Sequence, residues 1–167
     1  REQRIPFQGV DMDLLTTLPH IQDVWSLTTA LLNPAHKLSW FSLMRGPFCG
    51  ISLDDLLPIG MLARQRPIYD VLANLDDLKP SLSDDGFNRA NYFFHIISHA
   101  LRQRYHKPLS LWVWETFQAL QGPSLLGEEA LADLEQFWQL LAKHDKDGTL
   151  DDVNYFRQQL DSLYAQQ

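Results

Sequence analysis

Gly86-Phe87-Asn88-Arg89-Ala90-Asn91-Tyr92-Phe93-Phe94-His95-Ile96-Ile97-Ser98-His99-Ala100-Leu101-Arg102-Gln103-Arg104-Tyr105 decides the fold class of this chain. Phe87, Ala90, Phe94, Ile97, Leu101 and Arg104 recur at spacings of three and four, which predicts one long helix to about Tyr105 with a single inward stripe. A run of β-branched residues alternating with polar ones is nearly lacking throughout the chain. Helices should therefore dominate.

Similar stripes flank this segment. Ile21, Val24, Trp25, Thr28, Leu31 and Leu32 mark a helix that Asn33-Pro34 should stop, and a second should run from about Ala35 to Arg45. Gly46-Pro47 breaks the pattern. Ser52 then reads as an N-cap, with Asp54 and Asp55 in the first helical turn, where the helix dipole favours acids. Pro58, Pro67, Pro80 and the turn at Ser81–Gly86 suggest short helical pieces between 58 and 85. After Lys107-Pro108, Ser110 is placed to cap a helix bearing Val113, Trp114, Phe117 and Leu120, ended by Gln121-Gly122-Pro123. Two more follow: one burying Leu131, Leu134, Trp138 and Leu141, the other capped near Thr149 and burying Leu150, Val153, Leu160 and Leu163. The expectation is an all-α, irregular multi-helix domain, with a short strand in the opening Arg4-Ile5-Pro6-Phe7-Gln8-Gly9-Val10.

With 167 residues and 45% hydrophobic composition, the chain can furnish one sizeable core, anchored by its five Trp. Cys49 is the single cysteine, so no intramolecular disulfide forms, and a reducing, cytoplasmic setting is the simpler expectation. No apolar run approaches the roughly 20 residues needed to cross a bilayer, and no membrane partner is expected. The abrupt opening without Met reads as a segment cut from a longer chain.

A formal net charge of −7 argues against phosphate affinity over the whole surface. The charge is uneven, however: residues 108–167 hold ten acids and three bases, which is −7, leaving zero over residues 1–107. Arg89, Arg102, Arg104 and Lys107 fall in an acid-free stretch interleaved with His95, His99 and His106. Taken alone, these bases read more readily as a solvated helix face than as a nucleic-acid site.

The catalytic and metal-binding patterns fail on context. Asp145-Lys146-Asp147-Gly148-Thr149 imitates the aspartyl-nucleophile motif of haloacid-dehalogenase-type phosphatases, but that chemistry needs the first Asp at the end of a buried strand; a helix-connecting turn with an Asp-rich tip is the expectation. As a calcium loop the same stretch would place Lys143 first and Asn154 twelfth, too little anionic oxygen. His95 and His99 share a face without a third ligand. Cys49 has no local activating pattern. No Gly-x-x-x-x-Gly-Lys-Ser/Thr loop cradles ATP phosphates. No catalytic residue, cofactor or metal is expected in this segment.

A family resemblance goes further. Arg4-Ile5-Pro6-Phe7 resembles the Gly-Ile-Pro-Phe exit from the second motor domain of UvrD/RecB-type superfamily 1 DNA helicases, with Arg4 in place of the usual Gly. Ile21–Leu27, Ala30-Leu31-Leu32-Asn33-Pro34, Leu38-Ser39-Trp40, Leu43-Met44-Arg45-Gly46-Pro47 and Cys49-Gly50-Ile51-Ser52 resemble the junction that follows. Lys107–Phe117 with Leu120-Gln121-Gly122-Pro123 is similar to a segment of RecB-like exonuclease or helicase subunits.

The resemblance implies a junction at residues 1–17 and a helical insertion, the 2B-like subdomain, at 18–167. It also implies a parent chain that uses ATP and Mg to move 3′ to 5′ on DNA in repair or recombination. The implied partners are a duplex/single-strand junction, the parent's own motor domains and a nuclease subunit. Gly50, Ile51 and Ser52 align with the family's duplex-contacting turn; Arg45, then Arg89, Arg102, Arg104 and Lys107, are the further DNA-contact candidates. Asp54 and Asp55 count against a phosphate at that turn. The alternative is a helical protein-interaction module, which exposed Trp112 or Phe93 would favour.

Overall fold

The computed structural model describes residues 13–163 and shows an irregular, mostly helical domain. The expected N-terminal strand lies outside the described residues. Nine α-helices appear among them: α1 Pro19–Leu32, α2 Lys37–Arg45, α3 Leu53–Leu62, α4 Ile68–Ala73, α5 Asp84–Arg102, α6 Leu109–Ala119, α7 Gly122–Leu125, α8 Glu128–His144 and α9 Val153–Asp161. Single 3-10 segments lie at Leu15–Thr17 and Leu75–Ser81.

Helix α1 begins with Pro19, whose missing N–H costs nothing at the first helical position, and stops at Asn33 as expected. Its buried face, Ile21, Val24, Leu27, Thr28 and Leu31, packs on α2, α6 and α8. Trp25 on the same helix is only partly buried and stacks on Phe156 of α9, ring centroids 5.4 Å apart. Trp40 of α2 is fully buried, donates its indole N–H to Pro34 O at 2.9 Å and meets Phe93 of α5 edge-on. Such partners satisfy the polar end of a buried indole.

Helix α5 is the predicted long helix, capped by Ser83, whose hydroxyl accepts from Gly86 N. Its inward stripe differs in detail: Phe93 is fully buried alongside Ala90, Phe94 and Ile97, whereas Phe87, Leu101 and Arg104 are only partly buried. Helix α6 buries Trp112 and Phe117, and Trp112 donates its indole N–H to Ala100 O of α5 at 2.8 Å. Trp114 instead sits at the partly exposed edge of an aromatic cluster with Phe117 and Trp138.

Four local expectations change. Ser110 does not cap α6; its hydroxyl donates to Trp138 O, and the Leu109 N–H is accepted by Asp145, 36 residues away, at 2.9 Å. The segment from Asp145 to Leu150 is a two-stranded hairpin, β1 Asp145–Lys146 paired antiparallel with β2 Thr149–Leu150, rather than a simple link between helices. Asp147 and Gly148 take φ values of 54° and 90°, the Asp-Gly geometry of tight hairpins. Thr149 is consequently a strand residue, and Asp152 caps α9 by accepting from Tyr155 N. Val153 is exposed, and Phe156 with Leu160 anchors that helix.

Candidate nucleic-acid interface

The turn from Gly46 to Ser52, between α2 and α3, is closed by its own backbone. Gly50 N–H donates to Gly46 O at 2.8 Å and Ile51 N–H to Met44 O at 3.0 Å. Gly50 sits at φ 70°, a left-handed conformation that glycine adopts without a Cβ penalty. Ile51 is buried, and Cys49 beside it is buried too. Burial pushes the Cys49 thiol up to about 12, against the opposing pulls of the Ile51 hydrogen bond and the Arg89 charge, so it stays an unreactive thiol.

Two guanidinium groups converge on this turn. Arg45, at the end of α2, donates to Ile51 O at 2.7 Å, and Arg89, in the first half of α5, reaches Cys49 O at 3.4 Å. Arg89 also pairs with Asp85 one turn earlier at 2.9 Å. Both arginines are exposed. The turn thus offers a pair of cations held at carbonyl oxygens, while its Gly50 and Ile51 amides are committed internally.

Ser52 is likewise occupied. Its hydroxyl accepts from Asp55 N and donates to the Asp55 carboxylate. Asp55 is buried and its carboxylate accepts three bonds in all, the local one from Ser52 Oγ at 3.1 Å and two from 28 residues away, Ser83 N at 2.8 Å and Ser83 Oγ at 2.7 Å. Burial opposes its ionisation, but the bonds from the Ser83 amide, the Ser83 hydroxyl and the Ser52 hydroxyl outweigh it and hold the carboxyl below its usual range. A structural tie between α3 and α5 therefore replaces the simple acidic first turn read from the sequence; Asp54 alone remains exposed there.

Along α5, Arg89, Tyr92, His95, His99 and Arg102 are exposed and follow one another at helical spacing. No Asp or Glu occurs between residues 86 and 114. Arg89 and Arg102 are thirteen residues apart, which at about 1.5 Å per residue separates their backbones by roughly 20 Å. Arg102 donates to Ser98 Oγ, Arg104 lies over the Tyr105 ring, and Lys107 pairs with Glu115. The eight candidate positions thus divide into two groups: Arg45, Gly50, Ile51, Ser52 and Arg89 around the turn, and Arg102, Arg104 and Lys107 at the far end of α5. Exposed Tyr92 and Tyr105 were missed by sequence reasoning; Tyr92 is legible as the residue one turn from both Arg89 and His95 on the outward face.

Among the described residues, no group of three or more His, Cys, Asp or Glu side chains could hold a metal ion, and no helix is long and apolar enough to cross a membrane. Trp112 and Phe93, whose exposure would favour the protein-interaction alternative, are both core residues. No protein-family model matches the chain, and no curated protein matches it.

Proposed function

We propose that the chain is a non-catalytic, DNA-contacting subdomain of an ATP-dependent UvrD/RecB-type helicase or helicase-exonuclease subunit, and that its contact surface is the outward face of α5 with the adjoining 46–52 turn. The observation that carries this reading is the run of Arg89, Tyr92, His95, His99 and Arg102 on one exposed helix face, beside which the one acid of that face, Asp85, is paired with Arg89. Cations spaced along a helix follow a phosphate backbone, and tyrosine rings offer surfaces on which unpaired bases stack. The resemblance of residues 21–52 to the helicase junction supplies the expected setting. ATP and Mg belong to the parent's motor, the duplex/single-strand junction is the ligand, and a nuclease subunit is a further partner of the parent.

The test is fluorescence anisotropy with a forked DNA carrying a single-stranded tail, over a series of salt concentrations. Arg89→Ala combined with Arg102→Ala should lower the salt slope by about two, since each phosphate contact contributes close to one. Binding with an unchanged slope removes this face from the proposal, and no binding at low salt removes the DNA-contacting role.

A further inference from the structure

Helix α3 turns Asp55, Ile59 and Ala63 to the core and presents the opposite side to solvent. That outer side is apolar: Leu53, Leu57 and Met61 are 64%, 64% and 57% exposed. With Phe41 of α2 and Gly60 they border a shallow groove of about 550 Å³, whose lining also includes Asp54 and Arg64. A side chain at Gly60 would meet nothing within 4 Å. Leucines at four-residue spacing left uncovered on a helix usually mark a contact surface rather than a solvated one.

The order of residues on this ridge is its own complement. If a second α3 is laid antiparallel across it about a two-fold axis at residue 59, position 57 of one chain faces 61 of the other, and position 54 faces 64. Leu57 then meets Met61 twice, and the Asp54 carboxylate meets the Arg64 guanidinium twice. Gly60 borders the groove near the axis, where its lack of a side chain lets the helices approach. A parallel arrangement would instead put Asp54 against Asp54 and Arg64 against Arg64.

We propose that the outer face of α3 is a self-association surface whose occupant is a second copy of this chain, held antiparallel by Leu57–Met61 contacts and paired Asp54–Arg64 charges. Isologous contact of this kind requires a self-complementary patch, and opposite charges at its two ends fix the antiparallel register. The surface lies on α3, in a different helix from the α5 face proposed to contact DNA, although its first residues follow directly on the 46–52 turn of that proposal.

Sedimentation equilibrium of the 167-residue chain over a range of micromolar concentrations tests the proposal, with far-UV circular dichroism to check that each variant folds. The wild-type chain is expected to dimerise. Asp54→Arg and Arg64→Asp should each weaken dimerisation about tenfold or more, because each reversal sets two like-charge pairs in the symmetric interface. Mixing these two variants should restore association as a heterodimer, since every facing pair is then again of opposite charge. A chain that stays monomeric throughout, or a dimer that neither reversal weakens, overturns the proposal; a monomer would leave the ridge to a different protein surface.

Discussion

The carboxylate of Asp55 accepts both the backbone N–H and the hydroxyl of Ser83, at 2.8 and 2.7 Å, and so joins the first turn of α3 to the N-cap of α5. A Cβ on Gly86 would stand 2.1 Å from that carboxylate, so glycine is required for the approach. The same Ser83 hydroxyl accepts from Gly86 N. One acid thus organises two helix starts and positions the helix that carries the exposed basic face.

Asp55→Ala should destabilise the fold by about 2–4 kcal/mol, because hydrogen bonds to a charged group are lost and the Ser83 donors are left without their partner. Urea denaturation followed by circular dichroism measures this. A loss within experimental error would mean that water replaces the carboxylate at no cost.

Gly86→Ala should be at least as disruptive as a typical core substitution, costing about 1–3 kcal/mol, since the added methyl group collides with Asp55. Combining it with Asp55→Ala should cost less than the sum of the two, because the closest collisions, with the carboxylate at 2.1 and 2.3 Å, go with it and only the 2.9 Å approach to the Asp55 Cβ remains. A double-mutant cycle by chemical denaturation gives the coupling, and strict additivity would contradict the contact.

Acid titration of stability separates two carboxyl groups of opposite sign. Asp55 is held below its usual range, so it binds fewer protons folded than unfolded; its contribution is present above the unfolded value of 3.8 and is lost as pH falls below it. Asp23 is raised by burial, against the opposing pull of His20, so it binds more protons when folded and relatively favours the fold as pH falls toward its range. Melting temperatures from pH 7 down to about 3 should therefore fall less steeply in Asp55→Asn than in the wild type, and more steeply in Asp23→Asn. Identical slopes in all three would remove both assignments.

Asp145→Ala should cost about 1–3 kcal/mol, because its two oxygens accept from Gly148 N in the hairpin and from Leu109 N at the start of α6. Amide hydrogen exchange should quicken at Leu109 and Gly148 together. Exchange that quickens at only one of them would show that the two bonds are not coupled through this side chain.

Much of the helical order was legible from spacing alone. The α5 stripe, the Asn33 stop of α1 and the Ser52 cap each rest on local rules, in which side chains three or four residues apart share a face and a serine oxygen reaches the amide three residues on. Spacing did not distinguish Phe93 from its neighbours or Trp112 from Trp114. Both choices depend on which neighbouring helix covers each side of an element rich in aromatics. Of the candidate interface, the charges and the acid-free run were visible in the sequence, but the convergence of Arg45 and Arg89 on one turn was not.

By itself the sequence determined the helical class, the uneven charge and local boundaries such as the Ser52 cap and the Asn33 stop, because these follow from residue order within a few turns. Tertiary structure alone decided the roles of Asp55 and Asp145. Each accepts a bond from a residue 28 or 36 positions away, and only the packing of α3 and α5 on the 3-10 segment Leu75–Ser81 and of the hairpin on α6 brings donor and carboxylate together.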